Sequence, residues 1–229
     1  MSAKNPPVIH PYFYSPVKRV FDVLVSLGLL IILSPSLIFI SFLVLLTSGW
    51  PVIFRQNRIG LNQLTFKLYK FRTMKLGAEK SQQKLAEKNE APFPMFKLHH
   101  DPRFVGIGRW LSNTGLDELP QLLNILKGDM SFVGPRPLPI KEASAVHQLY
   151  PDWQFRELVK PGIFSQWSLD ADRHSSIEHW RQLDLMTVTN GGLSYELKII
   201  EANTLKALIW TLKTSLTRIK LRLKQLNQK

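Results

Sequence analysis

The sequence predicts a mostly helical α/β domain with a small sheet, joined to a membrane through an apolar helix near its start. Three patterns carry this reading. Residues 20–46 are almost wholly apolar, with Asp22 the only charge. Val52 to Phe54, then Leu64, Phe66 and Leu68 alternating with Thr65 and Lys67, read as short strands around a turn at Gly60. Leucines recur at helical spacing after residue 117 and again from 193 to 226.

The chain of 229 residues suffices for one domain with a real core. Its net charge of +13 makes it seek anions: nucleic acid, anionic lipid or phosphorylated small molecules. With no cysteine, disulfides and thiolate metal sites are excluded. His99 and His100 are adjacent, and His174 and His179 are five apart, so neither pair has the spacing of a zinc helix. The chain has no nucleotide P-loop, no dinucleotide glycine fingerprint and no nucleophile elbow.

Taken in order, residues 1–17 form a tail and 18–50 the membrane segment. As one helix the apolar run would be roughly 40 Å long, more than a hydrocarbon core of about 30 Å. No small-residue cleavage site follows it closely, so it stays attached. Pro35 removes a helical hydrogen bond near its middle, and Ser34 or Ser36 can satisfy the freed carbonyl. Lys18 and Arg19 precede the run and Arg55 and Arg58 follow it, a pattern that favours both ends on the cytoplasmic side. Two arrangements fit: a hairpin that dips into one leaflet, and a kinked spanning helix.

Gly49-Trp50-Pro51 marks the exit, with Trp50 suited to the headgroup region. The basic residues Arg55, Arg58, Lys67, Lys70, Arg72 and Lys75, with Phe66, Tyr69 and Phe71 between them, suit a nucleic-acid platform or contact with anionic headgroups. Residues 76–94 are the least globular stretch. Asp101-Pro102-Arg103 opens an expected helix to about Leu111, with Trp110 packing.

The organising motif is Asp117-Glu118. Pro120 is tolerated only in a first helical turn, so a helix begins near Asp117, with Leu119, Leu122, Leu123 and Leu126 as its buried stripe. Both acids then sit at the positive end of the helix dipole, where a phosphate is also attracted. A divalent cation such as magnesium would reconcile the two; a plain helix cap is the other reading of Asp117. Lys127-Gly128-Asp129 is a turn. Pro135-Arg136-Pro137 holds an arginine on stiff backbone, able to aim a guanidinium at phosphate or simply to turn the chain. A loop runs from Lys160 to Arg173 and a helix covers Ser176 to Leu185. Residues 193–226 form a basic amphipathic helix with Leu205, Leu208, Ile209, Leu212, Leu216, Ile219, Leu223 and Leu226 on one face, suited to a membrane interface or to packing on the domain.

Several motifs in one order resemble the bacterial sugar transferases, the monotopic polyprenyl-phosphate sugar-1-phosphate transferases. They are Lys18-Arg19, Ser34-Pro35, Gln56-Asn57-Arg58-Ile59-Gly60, Lys70-Phe71-Arg72-Thr73-Met74, Asp101-Pro102-Arg103, Leu116-Asp117-Glu118-Leu119-Pro120, Lys127-Gly128-Asp129-Met130-Ser131 and Val133-Gly134-Pro135-Arg136-Pro137. The resemblance implies a re-entrant membrane helix broken at Ser34-Pro35, a catalytic domain over 51–200 and an amphipathic C-terminal helix over 201–229. It implies transfer of a sugar-1-phosphate from a UDP-sugar to undecaprenyl phosphate, at the cytoplasmic face of the inner membrane, starting polysaccharide assembly. Asp117 would be the nucleophile that carries the phosphosugar, and Asp117 and Glu118 would hold Mg2+. Arg136, Arg173, Arg72 and Lys70 would bind phosphate or substrate. Anionic membrane lipid and a homo-oligomer are further expected partners; nucleic acid is not.

Three departures qualify the match. Ser112 and Gly115 stand where the family has arginine and serine before the aspartate. The loop from Pro161 to Arg173 keeps Trp167 and the final arginine but loses the family's glycines and glutamine. Glu196 replaces an aspartate near the C-terminus, while Asp152 and Asp184 are assigned to family acids. A catalytically silent membrane paralogue that binds or scaffolds is the alternative these changes leave.

Overall fold

The structure, a computed structural model, describes residues 7–226. Helix α1 (Pro16–Ile32) starts where the sequence supplies both a cap and a proline. Ser15 Oγ accepts from the Lys18 amide at 3.2 Å, and Pro16 occupies a first-turn position that needs no N–H. Helix α2 (Ser34–Ser48) follows at once, bent 64° away from α1. The bend has a local cause: Pro35 cannot donate to the Ile31 carbonyl, and Ser34 Oγ donates to it instead, at 2.8 Å. The arms have 17 and 15 residues, about 25 and 22 Å, each shorter than a hydrocarbon core. Among the described residues no single helix is long and apolar enough to cross a membrane, though the bent pair together would pass. One face of α2 buries Ile40 and Val44 against Phe71 and Leu111, while Ile38, Phe39, Phe42 and Leu46 are exposed.

Strands β1 (Ile53–Ile59) and β2 (Thr65–Phe71) pair antiparallel, Ile53 opposite Phe71 and Ile59 opposite Thr65. This is the expected hairpin around Gly60, with longer strands. A second pair, β3 (Ser131–Val133) and β4 (Gly162–Phe164), is parallel and was not expected. Three-residue strands are too short to show a period, and the crossover between them spans some 28 residues. Gly134 permits their approach: a Cβ there would lie 2.3 Å from the Lys160 carbonyl oxygen.

The short helix α3 (Ala78–Ser81) and a 3-10 segment (Gln83–Lys88) lie within the stretch read as least globular, whose Ala91 enters the core, as does Met95 just after it. The helix expected from Asp101 to Leu111 begins later, as α4 (Gly108–Thr114). Asp101 instead folds its carboxylate onto the Arg103 amide and guanidinium, making a local loop. Leu116–Gln121 is a 3-10 turn and only Leu122–Lys127 (α5) is α-helical. The tighter winding of that turn shifts the helical phase, so Leu123 is exposed and Ile125 takes its place in the core.

Helix α6 (Ile140–Leu149) and a 3-10 run (Pro151–Leu158) lead to β4, the single turn α7 (Gln166–Leu169) and α8 (Ile177–Thr189). The helix expected over Ser176 to Leu185 is the last of these; Ser176 caps it, and it continues four residues past Leu185. Trp153, Trp167 and Trp180 form the centre of the main core. Helix α9 (Leu193–Leu226) has the expected bounds and runs unbroken through residue 201. Leu205, Leu208 and Ile209 are exposed on it; the side chains of Leu212, Leu216, Ile219, Leu223 and Leu226 lie outside the described residues.

Candidate active site

Gly115, at φ +74°, ends α4 in the left-handed conformation and turns the chain into the 3-10 segment that carries both acids. Asp117 is buried and Glu118 is partly exposed. Arg136 donates from Nη2 to Glu118 Oε1 at 2.8 Å. Its backbone is fixed by the flanking prolines and by Arg156, which donates to the Arg136 carbonyl at 2.6 Å. Arg156 in turn faces Asp184 at 3.4 Å, and Asp184 accepts from Trp153 Nε1 at 3.0 Å. The Arg136 guanidinium also lies 5.4 Å from the Trp167 ring, which Arg173 approaches at 5.1 Å. The retained tryptophan and arginine of the altered loop thus stand beside Arg136.

Two further cations reach the acids from the hairpin. Lys70 on β2 is the strongest positive influence on Asp117, and Arg58 on β1 is anchored by donating to the Pro137 carbonyl at 2.8 Å. Burial pushes the Asp117 carboxyl up to about 7; Lys70 and Arg136 oppose the rise and Glu118 adds to it. Burial acts on Glu118 in the same direction, but the Arg136 guanidinium outweighs it and holds this carboxyl below its ordinary value. Among the described residues Asp117 has no side-chain hydrogen-bond donor and no ion-pair partner within 4 Å. One acid is clamped and its neighbour is left with lone pairs to spend.

That division fits a hard divalent cation. No group of three or more metal-ligating side chains occurs among the described residues. Magnesium needs no such cage, since it uses one or two carboxylates and fills its remaining positions with water and substrate phosphate. Asp117 and Glu118 are the oxygen ligands that would hold it.

The remaining expected site residues scatter. Arg72, the residue after β2, is buried and donates to the Ser48 and Gly49 carbonyls at the end of α2, where it caps a helix and touches no acid of the site. Asp152 is exposed and pairs with Arg181. Asp184 acts through Arg156. Glu196 is buried against Lys18 and Tyr12, away from the acid pair. Sequence reasoning singled out neither Arg58 nor Glu142 as a site residue. Burial pushes the Glu142 carboxyl up to about 7, against Arg58 and Arg136. A parity count finds Arg58: Phe54 lies opposite Lys70, and Arg58 is four residues on along the same face. Glu142 has no such signal, because only the tertiary fold brings α6 to Arg58.

The family model described as "Bacterial sugar transferase" matches residues 13–211. Over 198 residues the chain is 33% identical to the "UDP-glucose:undecaprenyl-phosphate glucose-1-phosphate transferase" of Escherichia coli (strain K12), covering 84% of this chain and 40% of that protein. It is 35% identical over 215 residues to the Klebsiella pneumoniae protein of the same name, covering 89% and 44%. It is 35% identical over 187 residues to "Exopolysaccharide production protein ExoY" of Sinorhizobium fredii, covering 80% and 81%. The chain therefore spans less than half the length of the first two of these relatives.

Proposed function

The chain belongs to the bacterial sugar transferase family, and from that membership we propose that it transfers a sugar-1-phosphate from a UDP-sugar to undecaprenyl phosphate through a covalent phosphosugar on Asp117. One observation carries the reading. Arg136 clamps Glu118 at 2.8 Å while the adjacent Asp117, facing Lys70 and Arg136, accepts from no side chain among the described residues. The names of the relatives supply the donor and acceptor classes.

In the first step an Asp117 carboxylate oxygen attacks the phosphorus that bears the sugar. The bond from that phosphorus to the bridging oxygen breaks, and UMP leaves with the electron pair. In the second step a phosphate oxygen of the lipid attacks the same phosphorus and the bond to Asp117 breaks, restoring the carboxylate. Atoms and charge balance with no co-reactant, and two bulky anions use one site in turn. Arg136 and Lys70 offset the charge on the phosphoryl oxygens, and Arg173 with Trp167 lines the approach beside Arg136. Magnesium, when bound by Asp117 and Glu118, would withdraw charge from the donor phosphates.

The bent apolar pair α1–α2 dips into the cytoplasmic leaflet of the inner membrane and keeps the site at the level of an acceptor phosphate that cannot leave the interface. Cysteines introduced at Val8 and Asn62, in a chain that has none, will then both be labelled from the cytoplasmic side; opposite-side labelling contradicts the re-entrant arrangement.

The reaction is tested by UMP release from a panel of UDP-sugars with undecaprenyl phosphate and membrane-purified protein. Release with at least one donor, abolished by chelating the divalent ion, is expected. No release with any donor would leave the silent paralogue, with Ser112 and the altered loop as its cause.

A further inference from the structure

A second basic site lies away from the acid pair. Where α1 leaves the domain, a cleft of about 230 Å3 opens between the start of α1, the hairpin tip, β3 and the residue before Pro161. Lys18, Arg19, Lys160, Asp22, Ser131 and Tyr14 are among its lining residues; no residue of the acid cluster is.

Three cations and one carboxylate line this cleft, with Glu196 behind Lys18 and Asp129 near Lys160 as the next acids. The one lining carboxylate, Asp22, is engaged through Oδ1, which accepts from Lys18 Nζ at 2.8 Å and from Ser131 Oγ and the Phe132 amide at 3.2 Å each. Lys18 is spent on Asp22 and Glu196. Arg19 donates to the Ile125 and Leu126 carbonyls, which fixes its guanidinium without neutralising it. Lys160 then lies beside it. A Cβ on Gly128 would sit 3.5 Å from Lys160 Nζ and 3.6 Å from Arg19 Nη2, so the two cationic heads flank one point. Among the described residues the Lys160 ammonium has no hydrogen-bond or ion-pair partner. Like charges held this close cost free energy unless an anion bridges them. Burial, and next the nearby Arg19, hold the Lys160 ammonium below its ordinary value, which agrees with that geometry.

The rim says which anion. Val17 and Val20 flank Lys18 and Arg19 in sequence and are 61% and 55% exposed; Leu24, Leu27 and Ile31 continue an exposed apolar line along α1 at four- and three-residue spacing. A ligand with a phosphate at the cleft and hydrocarbon along that line satisfies both features. We propose that Lys160 and Arg19 form a binding site for the phosphate of an anionic phospholipid, resident beside α1 and separate from the lipid that is the acceptor. The inference rests on the reading that α1 enters the membrane. It explains why the two cationic heads are gathered away from the chemistry: they seat the base of the membrane helix at headgroup depth.

The test uses the full chain in nanodiscs of phosphatidylcholine, with and without phosphatidylglycerol, and native mass spectrometry of the lipid retained on release. Wild type is expected to retain phosphatidylglycerol in preference to phosphatidylcholine. Lys160→Gln should lower that retention roughly fivefold, the order expected for one basic contact with an anionic headgroup, and Lys160→Arg should restore it. Excess inorganic phosphate should leave it unchanged. Equal retention by Lys160→Gln, no preference in wild type, or displacement by inorganic phosphate would each overturn the site; the last would make the ligand a free anion. Should Lys160→Gln fail to fold by circular dichroism, wild-type preference and phosphate competition still decide. A chain that never enters the nanodisc contradicts the membrane reading as well, whereas one that enters without lipid preference contradicts this inference alone.

Discussion

Two of the acid–cation clusters among the described residues differ in how many side-chain donors their carboxylates have. At the base of α1, Lys18 joins Asp22 and Glu196, while Tyr12 donates to the second Glu196 oxygen at 2.7 Å and Ser131 and Phe132 donate to Asp22. Lys18, Asp22 and Glu196 are all at most 3% exposed. At the other cluster Glu118 has Arg136, and Asp117 has no side-chain donor among the described residues. Buried networks of mutually bonded side chains hold elements in place; a buried carboxylate that burial pushes up to about 7 carries a cost, which enzymes tolerate where the group must react. The first cluster ties α1 to α9, and the second is where the proposed chemistry takes place.

Substitution should separate the two most widely in turnover. Asp117→Asn is expected to lower UMP release by at least ~10³-fold, since it removes a covalent nucleophile. Lys18→Met should leave the rate per folded molecule within about threefold, because it touches no atom of the reacting groups. Equal losses in both variants would erase the distinction.

Stability should invert that order. Lys18→Met strands two buried carboxylates, at a cost of about 3–5 kcal/mol. Thermal unfolding in detergent should fall by roughly 6–20 °C. A loss under about 2 °C would show that the network contributes little.

The pH profile sharpens the account of the second cluster. Lys70 is the chief influence holding the Asp117 carboxyl down. With the divalent ion constant, Lys70→Met should therefore move the acid limb of UMP release to higher pH, by about one unit. An unmoved limb would separate Lys70 from the nucleophile.

The smallest effect is on the stability of Asp117→Asn. A carboxyl whose folded-state pKa is raised above its unfolded value destabilises the fold as pH climbs between the two, here from about 4 to about 7. An uncharged amide avoids that loss. Asp117→Asn should unfold at least about 2 °C higher than wild type at pH 8 and at the same temperature near pH 4.

The contrast also explains what the sequence could and could not disclose. Asp117-Glu118, Pro135-Arg136-Pro137 and Ser34-Pro35 were readable because each is local: two adjacent acids, an arginine between prolines, a proline inside an apolar run. The bend followed from the missing N–H of Pro35. The first cluster was invisible because Lys18 and Glu196 are 178 residues apart and meet only through α9. Arg72 misled because a basic residue in a basic stretch looks like an anion ligand, yet its partners are backbone carbonyls. The 3-10 turn under the acids was hidden because its leucine spacing also fits an α-helix.

The central claim is that Asp117 takes the phosphosugar onto itself, and intact-mass spectrometry after mixing protein, UDP-sugar and magnesium without acceptor tests it most directly. Wild type should gain one sugar phosphate per chain, located on Asp117 by fragmentation, absent from Asp117→Asn and discharged by undecaprenyl phosphate. UMP released with no mass gained, or the same mass gained by Asp117→Asn, would contradict it.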